Sequence, residues 1–181
     1  GIRALLAGIE ARTGWHPFFD REFPIGLRND EIAGGISLEP GGQFELSGAP
    51  QRTIHGAAAE LGAHMADCHA VGGPLNVHFL GLGTTPLWSV AEIPAMPKSR
   101  YGIMKPYMEK VGTLGTSMMF RSATIQANLD FGSEADMVAK LRVSLALQPV
   151  VTALFANSPF IDGRPSGYLS FRSHIWRETD A

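Results

Sequence analysis

The sequence predicts an α+β protein in which residues 1–181 form a single domain. Apolar residues recur at helical spacing in several segments, and two short alternating runs flank a Pro-Gly-Gly turn, a pattern typical of a β-hairpin. With 181 residues and 45% apolar content, the chain is long and apolar enough to bury one sizeable core. We therefore expect helices and an antiparallel sheet packed together.

In the first half of the chain the pattern predicts two helices. Residues 2–13 have apolar side chains at helical spacing and stop at Gly14, whereas residues 15–30 contain proline and glycine breakers and are expected to be irregular. Residues 52–71 are rich in alanine, which favours a helix, and this helix is expected to end at residues 72–74, Gly-Gly-Pro.

In the second half, strands and helices are predicted to alternate. Strands are expected at residues 76–83, 118–131 and 167–176, where apolar residues form short runs. Residues 100–111 and 133–156 predict two further helices, each bent at an internal proline. The second of these helices begins with a serine cap followed by acidic residues in its first turn.

Charge and cysteine content exclude several classes of function. Lys and Arg total 15 against 17 for Asp and Glu, and no basic run is available for nucleic acid or an anionic membrane. A single cysteine forms no internal disulfide. Without an uninterrupted apolar run of about 18 residues, we expect a soluble, cytoplasmic protein. The chain opens within a helical pattern and closes before a sheet is complete, which indicates a piece incomplete at both ends.

The predicted hairpin, residues 36–39 and 43–46, separates polar from apolar side chains. Paired residues step outward from the three-residue turn, so Glu39 lies opposite Gln43 and Ser37 opposite Glu45. Those four residues share one face, and the other face carries Ile36, Leu38, Phe44 and Leu46. Close carboxylates repel unless a proton or a cation such as Mg²⁺ lies between them. The polar face is either a magnesium site or the solvated side of an amphipathic hairpin.

A second polar face is predicted within residues 124–131. Parity places Thr124, Gln126, Asn128 and Asp130 on one side of a strand and four apolar residues on the other. Strands disfavour Asn and Asp, and such departures from local propensity concentrate at functional sites. The alternative is a solvated edge strand, because edge strands often carry polar residues.

Two arginines and one histidine–cysteine pair complete the candidates. Arg100 and Arg172 each adjoin an aromatic residue, and a guanidinium is the natural bidentate clamp for a carboxylate or phosphate. His64 and Cys68 lie four residues apart on one helix face, but further metal ligands are lacking there. We expect that pair to have a packing or surface role.

Six segments, spread over most of the chain, together resemble the glutamate-cysteine ligases of the plant and alphaproteobacterial type. They read SLEPGGQFELSGAP at 37–50, MPKSRY at 96–101, TIQANLDF at 124–131 followed by SEADM at 133–137, LALQP at 145–149, ALFANSP at 153–159 and SFRSHIW at 170–176. Their length and order make this resemblance far more specific than any short motif in the chain.

The resemblance implies a fold, a reaction and a set of roles. The fold is the glutamine-synthetase-like ligase fold, an antiparallel sheet curved into a funnel with helices outside. In the reaction, ATP phosphorylates the γ-carboxyl of glutamate, and the cysteine amine displaces phosphate to give γ-glutamylcysteine, the first step of glutathione biosynthesis. Glu39, Glu45 and Gln126 are implied to line the Mg²⁺ and nucleotide side, and Asn128 to reach the amino acids. Arg100 and Arg172 are implied to hold the glutamate carboxylate and the phosphates, with the division between them open.

Several departures from the family pattern leave alternatives open. A strand with further metal-binding glutamates is expected before Gly1, Ser117 and Ala123 replace an Asp and a Cys, and Ala58 replaces a Cys associated with a regulatory disulfide in plant members. We therefore expect a bacterial type without plant-style redox control. The two alternatives are a carboxylate-amine ligase with a different amine acceptor and an inactive truncated remnant that binds ligands. The oligomeric state and the cysteine pocket are left open.

Overall fold

The computed structural model describes residues 1–180, which fall into two compact units. The first unit contains Gly1–Leu80 and Ile93–Tyr107, and the second contains Gly81–Glu92 and residues 108–180. Both units mix helices with antiparallel strand pairs, as the predicted α+β class requires. That residues 1–181 form a single catalytic domain stays a prediction.

The first unit is built on a four-stranded antiparallel sheet whose strands are adjacent in chain order. Its elements are α1 (Ile2–Thr13), β1 (His16–Asp20), β2 (Phe23–Asn29), β3 (Gly34–Leu38), β4 (Phe44–Ser47) and α2 (Ile54–Gly72). Helix α1 ends as expected at Gly14, which adopts a left-handed conformation with φ of 71°. The side chain of Thr53 caps α2 by accepting a hydrogen bond from the Gly56 backbone.

The prediction that residues 15–30 are irregular is wrong, because they form β1 and β2. Strand β1 lies at the edge of the sheet, where a proline such as Pro17 removes no hydrogen bond that the ladder needs. Pro24 is the second residue of β2 and pairs beside the register shift between Phe18 and Phe19. Prolines are compatible with strands at a sheet edge or beside an irregularity in the register, so Pro17 and Pro24 do not interrupt the sheet.

The predicted hairpin is confirmed in register and in its faces. Ser37 pairs with Glu45, and Ile36 pairs with Leu46. The apolar face closes over the core of the first unit. That core consists of Leu5, Leu6, Ile9, Leu27, Ile36, Leu38 and Cys68, with Phe44 and Leu46 packed against it. One face of the hairpin is therefore fixed by burial, which leaves its polar face on the opposite side of the sheet.

The second unit is mainly helical. Helix α3 (Ser99–Val111) begins in the first unit and ends in the second. The other elements of the second unit are α4 (Gly115–Arg121), α5 (Glu134–Leu154), the short hairpin β5 (Phe160–Ile161) and β6 (Arg164–Pro165), and α6 (Phe171–Arg177). Met119, Phe120 and Ile175 are its large buried apolar residues among those described. An isolated bridge pairs Thr84 with Ser122.

Three predicted strands are wrong. Residues 76–83 form no strand, because Asn76 ends a 3-10 turn in a left-handed conformation. Residues 118–121 belong to α4, and 123–131 have no regular secondary structure and pair with no strand among the described residues. Residues 171–176 lie in α6, whose cap Ser170 accepts a hydrogen bond from the Ser173 backbone. Short apolar runs do not distinguish helix from strand by periodicity alone.

Helix α5 confirms the predicted serine cap, since Ser133 accepts a hydrogen bond from the Asp136 backbone at 3.2 Å. Among the described residues it is the one helix long and apolar enough, by length and composition, to cross a membrane. Lys140 and Arg142 interrupt its apolar sequence, and core helices of soluble proteins have the same length and composition. Its apolar side chains, Leu145 among them, are exposed in the described chain.

Two glycine substitutions test this packing with opposite expected signs. A Cβ at Gly26 in β2 would overlap the Ile36 carbonyl oxygen and the Phe18 ring, whereas a Cβ at Gly62 in α2 meets nothing within 4 Å. We expect Gly26→Ala to lower the free energy of unfolding by about 1 to 3 kcal/mol. Gly62→Ala is expected to raise it by about 0.5 to 1 kcal/mol, because alanine favours helix. Urea unfolding followed by circular dichroism measures both, and equal effects would contradict the packing.

Candidate functional site

A cluster of charged and polar side chains surrounds the carboxylate of Glu39, which directly follows β3. Lys98 Nζ and Arg100 Nη2 each lie 3.6 Å from Glu39 Oε1. The Ser37 hydroxyl lies 3.4 Å from the same oxygen, and the Tyr101 hydroxyl lies 3.4 Å from Oε2. We call Glu39, Lys98, Arg100 and Tyr101 the Glu39 cluster. Both oxygens of this carboxylate thus have cationic or hydrogen-bonding neighbours.

The turn after β3 fixes the backbone of Glu39. The Glu39 amide donates to the Gln43 carbonyl at 2.9 Å, and the Gly42 amide donates to the Glu39 carbonyl at 2.8 Å. Gly42 has φ of 85°, a conformation that glycine adopts without strain. The Met96 amide donates to the Pro40 carbonyl at 2.9 Å, which joins the segment containing Lys98 to this turn.

The start of α3 is held by an acidic residue from β1. Asp20 accepts a hydrogen bond from the Ser99 backbone at 2.5 Å and one from the Ser99 hydroxyl at 2.7 Å. The backbone bond is the main reason that the pKa of Asp20 lies below its usual value. Lys98 and Arg100 flank Ser99, so this contact positions both cations beside Glu39.

Burial shapes the electrostatics of the Glu39 cluster. The Lys98 side chain is only 9% exposed, and burial lowers its pKa although Glu39 acts in the opposite direction. Burial, followed by repulsion from Glu39, raises the pKa of Glu45. The two carboxylates on the polar hairpin face therefore interact, as the sequence predicts for neighbours on that face.

The carboxylates of Glu39 and Glu45 suit a magnesium ion whose other ligands are water and phosphate oxygens. Within residues 1–180 no group of three or more His, Cys, Asp or Glu side chains is positioned to hold a metal. Glu39 and Glu45 offer two carboxylates, and Mg²⁺ is commonly bound through one or two carboxylates together with water and phosphate oxygens. The pair suits a metal that arrives with a phosphate ligand better than a metal enclosed by protein.

The second unit carries Gln126 and Asn128, both exposed in the irregular stretch 123–131. Its start is fixed where the Ala123 amide donates to the Gly83 carbonyl at 3.1 Å. Its apolar residues are exposed too, with Ile125 at 91%. The described chain therefore does not place these side chains on two sheet faces, and the predicted polar face stays a prediction.

Arg172, in the first turn of α6, is held by its own unit. Its amide donates to the Ser158 hydroxyl at 3.1 Å, and its guanidinium lies 5.5 Å from the Trp176 ring centre. Its Nε is buried and has no hydrogen-bond partner in the described part of the chain. Burial lowers the pKa of this guanidinium. A buried donor without a hydrogen-bond partner is unusual in a folded protein.

The sequence reasoning singled out Arg100, Glu39 and Glu45, and the structure brings these three residues together in the first unit. The sequence pattern did not indicate Lys98 or Asp20. Lys98 lies inside the MPKSRY segment, but a lysine gives no signal in sequence that its ammonium is buried. Asp20 is 79 residues from Ser99, so their contact has no local pattern.

His64 and Cys68 have the packing role that the sequence favoured. Cys68 is fully buried in the core of the first unit, with Sγ 3.5 Å from His64 Nε2. Phe44 stacks on the His64 ring at 6.0 Å, and burial lowers the pKa of that histidine. The half-buried imidazole lies between an aromatic ring and a thiol, where it contributes to packing.

The fold and the Glu39 cluster define an α+β protein with a site that groups acidic and basic side chains. Comparison with known proteins makes this more specific. The sequence profile of glutamate-cysteine ligase family 2 matches residues 2–181, and the chain belongs to this family. The resemblance inferred from the six segments is therefore confirmed.

Among its relatives, the chloroplastic glutamate-cysteine ligase A of Oryza sativa subsp. japonica is 54% identical over 179 residues, which is 99% of this chain and 36% of the relative. The chloroplastic ligase of Nicotiana tabacum is 55% identical over 99% of this chain and 34% of its own length. That of Arabidopsis thaliana is 54% identical with the same coverages. The chain spans about a third of these relatives.

The expectation of a cytoplasmic protein of bacterial type is wrong. The curated relatives reported above are chloroplastic ligases of plants. Charge and cysteine content gave no information on the compartment, and the replacements at Ser117, Ala123 and Ala58 did not indicate a bacterial type.

The Glu39 cluster generates a prediction for Tyr101. Its hydroxyl donates to the Leu38 carbonyl at 3.1 Å as well as approaching Glu39. We expect Tyr101→Phe to lower the free energy of unfolding by about 1 to 2 kcal/mol, because a buried carbonyl loses its partner. Tyr107→Phe on the same helix, at 59% exposure, is the matched control and is expected to change it by less than about 0.5 kcal/mol. Equal effects in urea unfolding would contradict the assigned hydrogen bonds.

A second prediction concerns the thiol. Burial raises the pKa of Cys68 to about 11, so at pH 8 roughly one thiol in a thousand is ionised. We expect the folded protein to react with an aromatic disulfide reagent at least about 100-fold more slowly than the urea-unfolded protein. Equal rates before and after unfolding would show that Cys68 is accessible and ionised in the folded chain.

Proposed function

We propose that this chain forms part of the catalytic region of an ATP- and Mg²⁺-dependent ligase that joins the γ-carboxyl of glutamate to the amine of cysteine. The observation that carries the proposal is the Glu39 cluster, in which one carboxylate adjoins a buried lysine and an exposed arginine, together with Glu45 on the same polar face of the hairpin. Membership of glutamate-cysteine ligase family 2 supports this choice of reaction.

Each step of the reaction needs charge to be neutralised and reactants to be positioned. A carboxylate oxygen of glutamate takes the terminal phosphoryl group of ATP, and ADP departs. The cysteine amine then attacks the activated carbonyl, phosphate leaves with the bonding electron pair, and the amine loses a proton. When bound, Mg²⁺ supplies positive charge to the phosphate oxygens. No protein nucleophile is required, so orientation and electrostatics supply the acceleration.

The residues of the chain are proposed to divide this task. Glu39 and Glu45 hold the metal, and Arg100 binds an anionic group of a substrate from the exposed side of the cluster. In the second unit, Arg172 is proposed to bind a phosphate or carboxylate, and its buried unpaired Nε supports that role. Gln126 is proposed to contact the nucleotide and metal, and Asn128 the amino acids, as the family resemblance implies.

We also propose that the four-stranded sheet belongs to a larger funnel-shaped sheet of the glutamine-synthetase-like ligase fold. The antiparallel order β1-β2-β3-β4 and the cover of α1 and α2 on the core side support this proposal.

The test is a ligase assay in a complete family background. In the Arabidopsis ligase, the matched 179-residue stretch is replaced by this chain, and phosphate release from ATP is measured with each amino acid alone and with both. We expect release that requires glutamate and cysteine together. Glu39→Gln and Glu45→Gln in the chimera are expected to lower kcat by at least about 100-fold, whereas Glu31→Gln, an exposed glutamate of the first unit, leaves it unchanged.

The outcomes separate the alternatives. Release with another amine in place of cysteine would support a ligase with a different acceptor and would overturn the cysteine assignment. A folded chimera that binds ATP and Mg²⁺ without releasing phosphate would favour a ligand-binding remnant. Unchanged activity in Glu39→Gln and Glu45→Gln would overturn the proposed metal site.

A further inference from the structure

Two cations approach the same oxygen of Glu39, and they differ in their environment. Lys98 is 9% exposed and lies 5.6 Å from the centre of the Tyr101 ring, whereas Arg100 is 61% exposed. Solvent screens an exposed charge strongly and a buried charge weakly. Lys98 therefore contributes most of the positive potential that is felt at Glu39 Oε1.

This arrangement opposes the entry of a free divalent ion. A metal that binds Glu39 must approach an oxygen that already has Lys98 and Arg100 as neighbours, each at 3.6 Å. Like charges so close together disfavour each other, and the surrounding burial strengthens the effect. A polyphosphate removes this repulsion, because its negatively charged oxygens attract Lys98, Arg100 and the metal at the same time.

We propose that Lys98 is a resident counter-ion of Glu39 that couples metal binding to nucleotide binding. The inference rests on the proposed function. In the free protein Lys98 neutralises Glu39 and keeps the affinity for a free divalent ion low. When a metal–polyphosphate complex binds, the Lys98 ammonium exchanges the Glu39 oxygen for a phosphate oxygen, and Glu39 becomes available to the metal. Lys98 is thus a positioning residue.

The chemistry of lysine suits this exchange. Its ammonium is a compact charge with three donors on a flexible stem, so it moves between two acceptors by rotation about side-chain bonds. Asp20 holds the neighbouring Ser99, which keeps the Lys98 backbone fixed while the side chain moves. An arginine at this position would keep the charge but fit the enclosed space less well, because its planar fork requires a fixed geometry.

The test measures Mn²⁺ binding to the full chain by electron paramagnetic resonance of free Mn²⁺, with and without a non-hydrolysable ATP analogue. In the unsubstituted chain we expect weak Mn²⁺ binding alone and at least about tenfold tighter binding with the analogue. Lys98→Gln is expected to tighten nucleotide-free Mn²⁺ binding by about tenfold and to reduce the effect of the analogue by a similar factor.

Three further variants serve as controls. Lys98→Met removes the charge while keeping the apolar stem, and it is expected to behave as Lys98→Gln does. Lys98→Arg keeps the charge and is expected to retain the coupling in part. Lys110→Gln removes an exposed lysine from the last turn of the same helix and is expected to match the unsubstituted chain. Circular dichroism establishes that each variant is folded.

The outcomes distinguish this inference from the proposed function. If Glu39→Gln abolishes Mn²⁺ binding while Lys98→Gln and Lys98→Met bind it as the unsubstituted chain does, the metal site stands and the counter-ion role is overturned. If Mn²⁺ binds no variant, with or without the analogue, both the metal site and the inference are overturned. Tighter nucleotide-free binding in both neutral variants supports the counter-ion role.

Discussion

The carboxylate of Glu39 is the charge around which the first unit is arranged. It is placed by the three-residue turn between β3 and β4, and that turn is fixed by backbone hydrogen bonds to Gln43 and Gly42. The hairpin is held in turn by its apolar face, which buries Ile36 and Leu38 in the core. A slip of one residue would turn Glu39 toward the core and expose the apolar side chains. Hydrophobic burial therefore determines where the charge lies.

The same carboxylate brings together residues that are distant in the chain. Lys98 directly precedes α3, and Arg100 and Tyr101 lie in its first turn. Asp20 at the end of β1 holds the start of this helix through Ser99. Burying Lys98 is unfavourable in itself, and an opposite charge nearby offsets only part of the cost. Such buried pairs are weak evidence for stability, so the arrangement is better explained by what it binds. The Glu39 cluster therefore connects the fold to the proposed ligase chemistry.

The hairpin, its register and the grouping of Glu39 with Glu45 were predictable, because parity and a short turn leave few alternatives. Helices α1, α2 and α5 had clear periodicity and end signals. Strand β1 was missed because an edge strand tolerates Pro17, and β2 because Pro24 pairs beside a register shift. Helices α4 and α6 were missed because short apolar runs carry no decisive period. Lys98 and Asp20 were missed for a different reason. Their importance arises from burial and from a contact over 79 residues, neither of which has a local sequence pattern.

The central claim is that the polar hairpin face receives a metal–nucleotide complex. The most direct measurement is paramagnetic line broadening of backbone amide signals when Mn²⁺ and a non-hydrolysable ATP analogue are added together to the isotope-labelled chain. The account predicts that the amides of Ser37, Glu39 and Glu45 broaden most strongly within the first unit, while that of the buried Cys68 in α2 broadens least among these four. Unbroadened signals from Ser37, Glu39 and Glu45 under saturating Mn²⁺ and analogue would contradict it.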